Sequence, residues 1–97
     1  DYRYHFCIEN TKRDYWFTEK LIDCFVTGTI PIYWGCPSIG EFFDTEGMII
    51  FNDIMELPEL LKQCTVGYYE SKHNILKSNF ELAKNYRLVE ESIPHII

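Results

Sequence analysis

Most of the signatures that would place this chain at once are missing. Its four cysteines, Cys7, Cys24, Cys36 and Cys64, stand far apart in apolar runs, and no CxxC or Cys/His pair has zinc spacing. Buried free thiols are therefore preferred to disulfides. No Asp-x-Asp is present to carry Mn²⁺ or Mg²⁺ to a diphosphate, so no metal is expected. No Gly-x-Gly-x-x-Gly occurs, which argues against a dinucleotide Rossmann site. Positive charge is scarce: nine Lys and Arg face fifteen Asp and Glu, and a net charge of −6 speaks against nucleic acid. No run approaches the roughly 20 apolar residues that span a bilayer, and no signal peptide is visible, so a cytoplasmic chain without a membrane span is expected. Internal repeats, low-complexity tracts and linkers are absent as well. His5, His73 and His95 have no nucleophile or metal constellation beside them in the sequence and are read as structural or exposed.

What is present is ordinary globular material. With 97 residues, 46% hydrophobic and 25% charged, the chain suits one small domain with a thin core. The charge is uneven. Residues 1–20 balance acidic and basic side chains, and residues 21–97 carry the whole excess of acid. An acidic protein can still hold a diphosphate where positive charge is local.

The organising stretch is Phe6 to Gly35. Tyr4, Phe6 and Ile8 alternate with His5 and Cys7, the period of a strand. Glu9 opens a polar segment, Asn10 to Asp14, that runs into Tyr15, Trp16 and Phe17. Thr18 is suited to cap a helix, and Phe17 and Ile22 sit at hydrophobic-staple spacing around it. Gly28 closes that helix in the left-handed conformation, and residues 29–34 form a second strand. The helix N-terminus, with its free N–H groups and partial positive charge, is shaped to hold an anion, and Lys20 in the first turn adds a full charge.

Beyond it, Ser38 is expected to cap a short helix over Ile39 to Phe43. Asp44 to Gly47 reads as a turn, and Met48 to Phe51 as a short strand of the kind buried in a parallel sheet. Asp53 is a candidate cap. Leu57, Leu60, Leu61 and Cys64 fall on one helical stripe, with Pro58 tolerable near its start. From Gly67 the pattern is helical again, with Ile75, Phe80, Leu82, Ala83 and Tyr86 as the apolar side. Val89 to Ile97 reads as a last short helix broken at Pro94. Alternating strands and helices imply an α/β fold, a three-layer sandwich around a small parallel sheet.

Four linked motifs carry a family resemblance. Glu9-Asn10-Thr11, Thr18-Glu19-Lys20, Gly28-Thr29-Ile30-Pro31-Ile32 and Tyr33-Trp34-Gly35 occur in order. Weaker matches follow through Pro37-Ser38-Ile39, Phe42-Phe43 and Ile49 to Asp53. In this the first half to two-thirds of the chain resembles the C-terminal part of the α1,3-fucosyltransferases, glycosyltransferase family 10. The resemblance implies the Rossmann-like C-terminal half of a GT-B glycosyltransferase, which in that family holds GDP-fucose. A single donor-binding domain over residues 1–97 is the expectation, with the acceptor-binding half absent. The chain also opens without Met, directly on a strand, and so reads as cut from, or derived from, something longer.

The resemblance also implies roles. Lys20 contacts the diphosphate, and Glu19 accepts the ribose hydroxyls. Asn10 donates to the nucleotide, and Thr18 holds the helix start. Trp16 stands where the family commonly has Tyr in a Gly-Tyr-Val-type run, so a ring can flank the sugar or phosphate while the phenolic contact is lost. Glu9 completes the candidate donor site, either at the ligand or holding the loop. Lys12 and Arg13 are read as solvated, and Tyr33 and Trp34 as core and rim packing. No residue here is expected to be catalytic: the family inverts at the sugar carbon with a carboxylate base from the N-terminal half, which also brings a further basic contact to the diphosphate. The expected partners are thus a nucleotide sugar, GDP-fucose, as donor substrate with no permanent cofactor, a glycan acceptor only with an N-terminal half, and a second copy of the chain or a complementing chain. The competing reading is a non-catalytic α/β module kept for binding or assembly.

Overall fold

The computed structural model describes residues 3–92. Strand β1 (Tyr4–Ile8) leads through a loop into helix α1 (Glu19–Val26) and strand β2 (Ile30–Trp34). Two 3₁₀ turns, Ile39–Glu41 and Thr45–Gly47, precede the short strand β3 (Ile49–Ile50). A third, Ile54–Glu56, opens helix α2 (Leu57–Leu61), followed by α3 (Val66–Ser71) and α4 (His73–Ser92). The strands form one sheet in the order β1-β2-β3, all parallel, with Phe6 opposite Ile32 and Ile32 opposite Ile49.

Each face of the sheet has its own core. On one, α1 lays Leu21, Ile22, Cys24 and Phe25 over Cys7 and Tyr33, and α4 adds Ala83. On the other, Tyr4, Ile30, Ile32, Ile49 and Phe51 meet Leu76, with Leu57, Leu60, Cys64, Tyr68 and Tyr69 from the α2–α3 region packed around them. Burial of a large aliphatic or aromatic side chain stabilises by about 1.5–3 kcal/mol, so the four residues of α1 tie it firmly to the sheet. The three-layer α/β architecture expected from the sequence is the one found.

Local signals mostly act as read. The Thr18 hydroxyl accepts from the Lys20 N–H at 3.3 Å. Gly28 ends α1 at φ +76°, and Asp53 and Glu56 close a reciprocal capping box.

Several expectations need correction. Ser38 makes no cap; its hydroxyl accepts from the Tyr15 N–H at 2.8 Å instead, across to the preceding loop. The stripe from Leu57 to Cys64 is not one helix. After Leu61 the backbone tightens to i−3 bonds, and Thr65 caps α3 through the Tyr68 N–H. The helical stretch after Gly67 breaks at Lys72. In α4 the inward residues are Leu76, Asn79 and Ala83, whereas Leu82 is 41% exposed. The missed member is polar: the Asn79 side chain accepts from the Asp44 N–H at 2.9 Å and donates to the Asp44 carbonyl at 3.0 Å. Helix α4 continues through Val89 to Ser92 rather than restarting there, and Pro94 lies outside the described residues. On β1, Phe6 and Ile8 are half exposed, because only the Tyr4 end of that face is roofed. There the Tyr4 hydroxyl bonds the Thr65 carbonyl and its ring meets Tyr69 edge-on.

Candidate functional site

The loop between β1 and α1 lies beyond the carboxyl end of the strands, where open α/β sheets place their ligands. Its frame begins with Glu9, only 2% exposed. The Glu9 carboxylate accepts the Thr18 N–H at 3.0 Å, the Thr18 hydroxyl at 2.5 Å and the Tyr33 hydroxyl at 3.1 Å. Tyr33 in turn accepts the Cys36 N–H at 3.1 Å. Burial, opposed by that N–H and reinforced by the carboxylate, pushes the Tyr33 hydroxyl above the ordinary tyrosine range. A buried carboxylate with three donors is a satisfied group, and it pins the start of α1 to the end of β2. Gly35 makes room for it: a Cβ there would stand 2.4 Å from Glu9 Cγ.

Asn10, Glu19 and Lys20 are exposed above this frame, and Trp16 and Thr18 are half-buried. The Lys20 ammonium lies 3.4 Å from both the Ile8 carbonyl and the Asn10 side-chain oxygen. At that length the bonds are weak, so the charge stays available over the end of β1 and the first turn of α1. Structure thus brings Asn10, Thr18, Glu19 and Lys20 together at one rim, with Glu9 beneath them. Glu9 touches Thr18 and Tyr33, and of the two options left open for it, the bonds describe the holding role.

Two features of the loop were not anticipated. Tyr15 holds φ +59°, a left-handed conformation in a non-glycine residue. Lys12 is not solvated alone: its ammonium donates to the Asn52 side chain at 2.8 Å, and the Trp34 indole donates to the Asn52 carbonyl at 3.3 Å. These contacts carry the loop across the crest of the sheet. Nothing local in the sequence pairs residues so far apart. The loop's end is fixed by Phe17, which packs against Phe42, Phe43 and Tyr86 at ring separations of 5.2, 5.6 and 5.6 Å. A groove of about 430 Å³ runs beside the rim, lined by β1 and by Lys20, Asp23, Cys24 and Thr27 of α1 and its cap. Among the described residues no cluster of three His, Cys, Asp or Glu could hold a metal ion, and no helix is long and apolar enough to cross a membrane.

A parallel α/β unit with this loop-to-helix rim is of the GT-B glycosyltransferase type. More particularly, the chain is fucosyltransferase-like. It is 37% identical over 60 residues to the α-(1,3)-fucosyltransferase FucT of Helicobacter pylori, a match covering 62% of this chain and 13% of that protein. Its fold is similar to a solved α1,3-fucosyltransferase structure with TM-score 0.58 and 30% identity, over 80% of this chain and 22% of that one. Structures of α1,3-fucosyltransferase with GDP and with GDP-fucose each match with TM-score 0.54 and 28% identity, over 84% of this chain and 22% of theirs. The chain therefore spans only about a fifth of the length of these solved relatives. No protein-family model matches it.

Proposed function

We propose that the chain is the donor-binding part of a fucosyltransferase-like glycosyltransferase and holds a nucleotide diphosphate sugar, GDP-fucose, at the rim of α1. One observation carries the reading: Lys20 is exposed over the strand ends in the first turn of a helix, held only by two bonds of 3.4 Å. A cation there is unfavourable for the bare helix and favourable once a diphosphate sits between it and the positive end of the helix dipole. The similarity to structures solved with GDP and GDP-fucose supports the same placement.

In this reading Lys20 neutralises the pyrophosphate, Glu19 accepts the ribose hydroxyls, and Asn10 and the half-buried Trp16 flank the nucleotide sugar. Thr18 and Glu9 hold the helix start in place. As the acceptor oxygen attacks the sugar carbon and the bond to the diphosphate breaks, negative charge grows on the departing GDP, where Lys20 and the helix N-terminus stabilise it. The base that takes the acceptor's proton and the surface that binds the acceptor belong to the remainder of such an enzyme. By itself this part binds donor and transfers nothing.

Calorimetric titration with GDP, GDP-fucose, UDP and UDP-sugars tests the proposal. Heat with the guanine nucleotides, weakened about tenfold by Lys20→Ala, is the expected result. No heat with any nucleotide, or binding indifferent to Lys20→Ala, removes the reading. The half-exposed Phe6 and Ile8 on β1 are what favours the second reading, an assembly module; a dimer that Phe6→Ser dissociates, with no nucleotide bound, would establish it instead.

A further inference from the structure

Three lysines, Lys62, Lys72 and Lys84, each stand within 3.5 Å of a glutamate, Glu59, Glu46 and Glu81. Lys12 and Lys20, exposed where the strands end, meet neutral oxygens instead. Lys12 donates to the Asn52 side chain at 2.8 Å, and Lys20 to the Ile8 carbonyl and the Asn10 side chain at 3.4 Å. With fifteen acidic residues against nine basic ones, this is not for want of carboxylates. The two beside Asn52 are turned to their own backbone. Glu56 accepts the Asn52 and Asp53 N–H groups at 2.7 and 2.8 Å, and Asp53 accepts the Met55 N–H at 2.9 Å. Glu9 is filled by its three donors. Lys12 is thus a full charge held by an exposed, uncharged acceptor, a bond for which water readily substitutes.

The two ammonium groups flank the crest of the sheet. Lys20 lies over the end of β1, and Asn52 follows two residues after β3. Two strand spacings of about 4.8 Å put those ends roughly 10 Å apart. Lys12 is tethered to the Lys20 side as well. It comes two residues after Asn10, whose side chain meets Lys20, so at most about 7 Å of chain separates them. Its flexible four-carbon stem lets the ammonium serve either Asn52 or a group beside Lys20. Resting on the donor reading, we propose that Lys12 is a second diphosphate ligand, parked on Asn52 in the free chain and passed to a phosphate oxygen when the nucleotide binds.

The transfer exchanges a neutral acceptor for an anionic one, so both partners of the new bond are charged. It also sets positive charge on two sides of the group that departs when the sugar bond breaks. Asn52 then acts as a competitor for the ammonium. Whatever holds Lys12 more tightly weakens nucleotide binding, and whatever releases it does not. A clasp that served only to hold the loop across the crest would give the opposite signs.

Calorimetric titration of GDP into the 97-residue chain and its variants tests this. Lys12→Ala is expected to weaken binding about fivefold. Asn52→Ala frees the ammonium and should bind at least as tightly as the parent. Asn52→Asp holds it as an ion pair and should lose about as much as Lys12→Ala. In the Lys12→Ala background, Asn52→Asp should add nothing further. Both side chains are exposed, and the Asn52 bonds to Glu56 and Trp34 come from its backbone, so these changes bear on binding rather than folding. Binding by Lys12→Ala equal to the parent's overturns the proposal. So does a loss in Asn52→Ala that matches the loss in Lys12→Ala, or an Asn52→Asp loss undiminished when Lys12 is absent. If Lys20→Ala weakens GDP binding and Lys12→Ala does not, the donor reading stands and this role of Lys12 falls. No heat with GDP in the parent chain removes both.

Discussion

Glu9 and Thr18 are locked to each other: the carboxylate takes both the backbone N–H and the hydroxyl of Thr18, at 3.0 and 2.5 Å. The residue that follows the first strand and the cap of the first helix are thus one unit, closed from below by Tyr33. Because the group is buried, the cost of removing it is set less by the bonds lost than by the donors left without a partner.

Glu9→Ala should therefore destabilise by about 3 kcal/mol, since it orphans the Thr18 N–H and the Tyr33 hydroxyl together. Glu9→Gln, which keeps the shape and one acceptor oxygen, should cost roughly half as much. Urea unfolding measures both. An alanine variant within about 0.5 kcal/mol of the parent would show that the network is not what holds α1.

Two glycines separate crowding from propensity. A Cβ on Gly35 meets Glu9 Cγ at 2.4 Å and the Tyr33 hydroxyl at 2.8 Å, whereas one on Gly67 in α3 meets nothing within 4 Å. Gly35→Ala should cost about 2–3 kcal/mol. Gly67→Ala should raise stability by about 0.5–1 kcal/mol, because it removes backbone freedom from the unfolded chain. Similar changes at the two positions would contradict the packing described.

Tyr15 sits at φ +59°, a conformation glycine adopts freely and other residues do not. Its ring is exposed and touches Phe42 edge-on. Tyr15→Gly is expected to raise Tm by about 2–5 °C, while Tyr15→Ala keeps the strain and does not. Scanning calorimetry on the pair distinguishes relief of backbone strain from loss of the ring.

Alkaline pH should find Tyr33. Its folded-state pKa is raised, chiefly by burial, so the hydroxyl stays protonated in the fold after an unfolded tyrosine has begun to ionise near pH 10. The unfolded state then gives up protons the folded state keeps, and stability falls as pH rises above about 10. Tyr33→Phe loses the bond to Glu9 and is less stable at neutral pH, but its decline above pH 10 should be shallower. Tyr4, also raised by burial, adds to the slope that remains. Parallel slopes for parent and variant would exclude Tyr33 as the group responsible.

Much of this arrangement was legible because its causes are local. Thr18, Gly28 and Asp53 act within one turn of chain, and their capping roles follow from side-chain type and spacing. The alternation in β1 was equally plain, yet it could not say which face would be roofed; Phe6 and Ile8 lie open because α3 reaches only as far as Tyr4. Asn79 shows the opposite failure. A polar residue was set aside from the apolar stripe of α4, but it is buried because Asp44 offers it both a donor and an acceptor. At the rim, motif and helix electrostatics put Asn10, Thr18, Glu19 and Lys20 forward as neighbours, since all lie within one loop and one turn of chain. Lys12 was not put forward, because its partner Asn52 is supplied by a turn beyond the third strand. Contacts closed by tertiary packing leave no periodic trace.

The edge-on contact of Phe17 with Tyr86 sets an order of events during synthesis. Residues 10–17 emerge before Phe42 and Phe43, but the third ring against Phe17 arrives only with the second half of α4. The mouth of the cleft is thus finished only after the sheet and the other members of both its cores are available to fold. On stalled nascent chains, protease should cut the 10–17 segment until Tyr86 has emerged and spare it afterwards. Protection gained before that point would break the link.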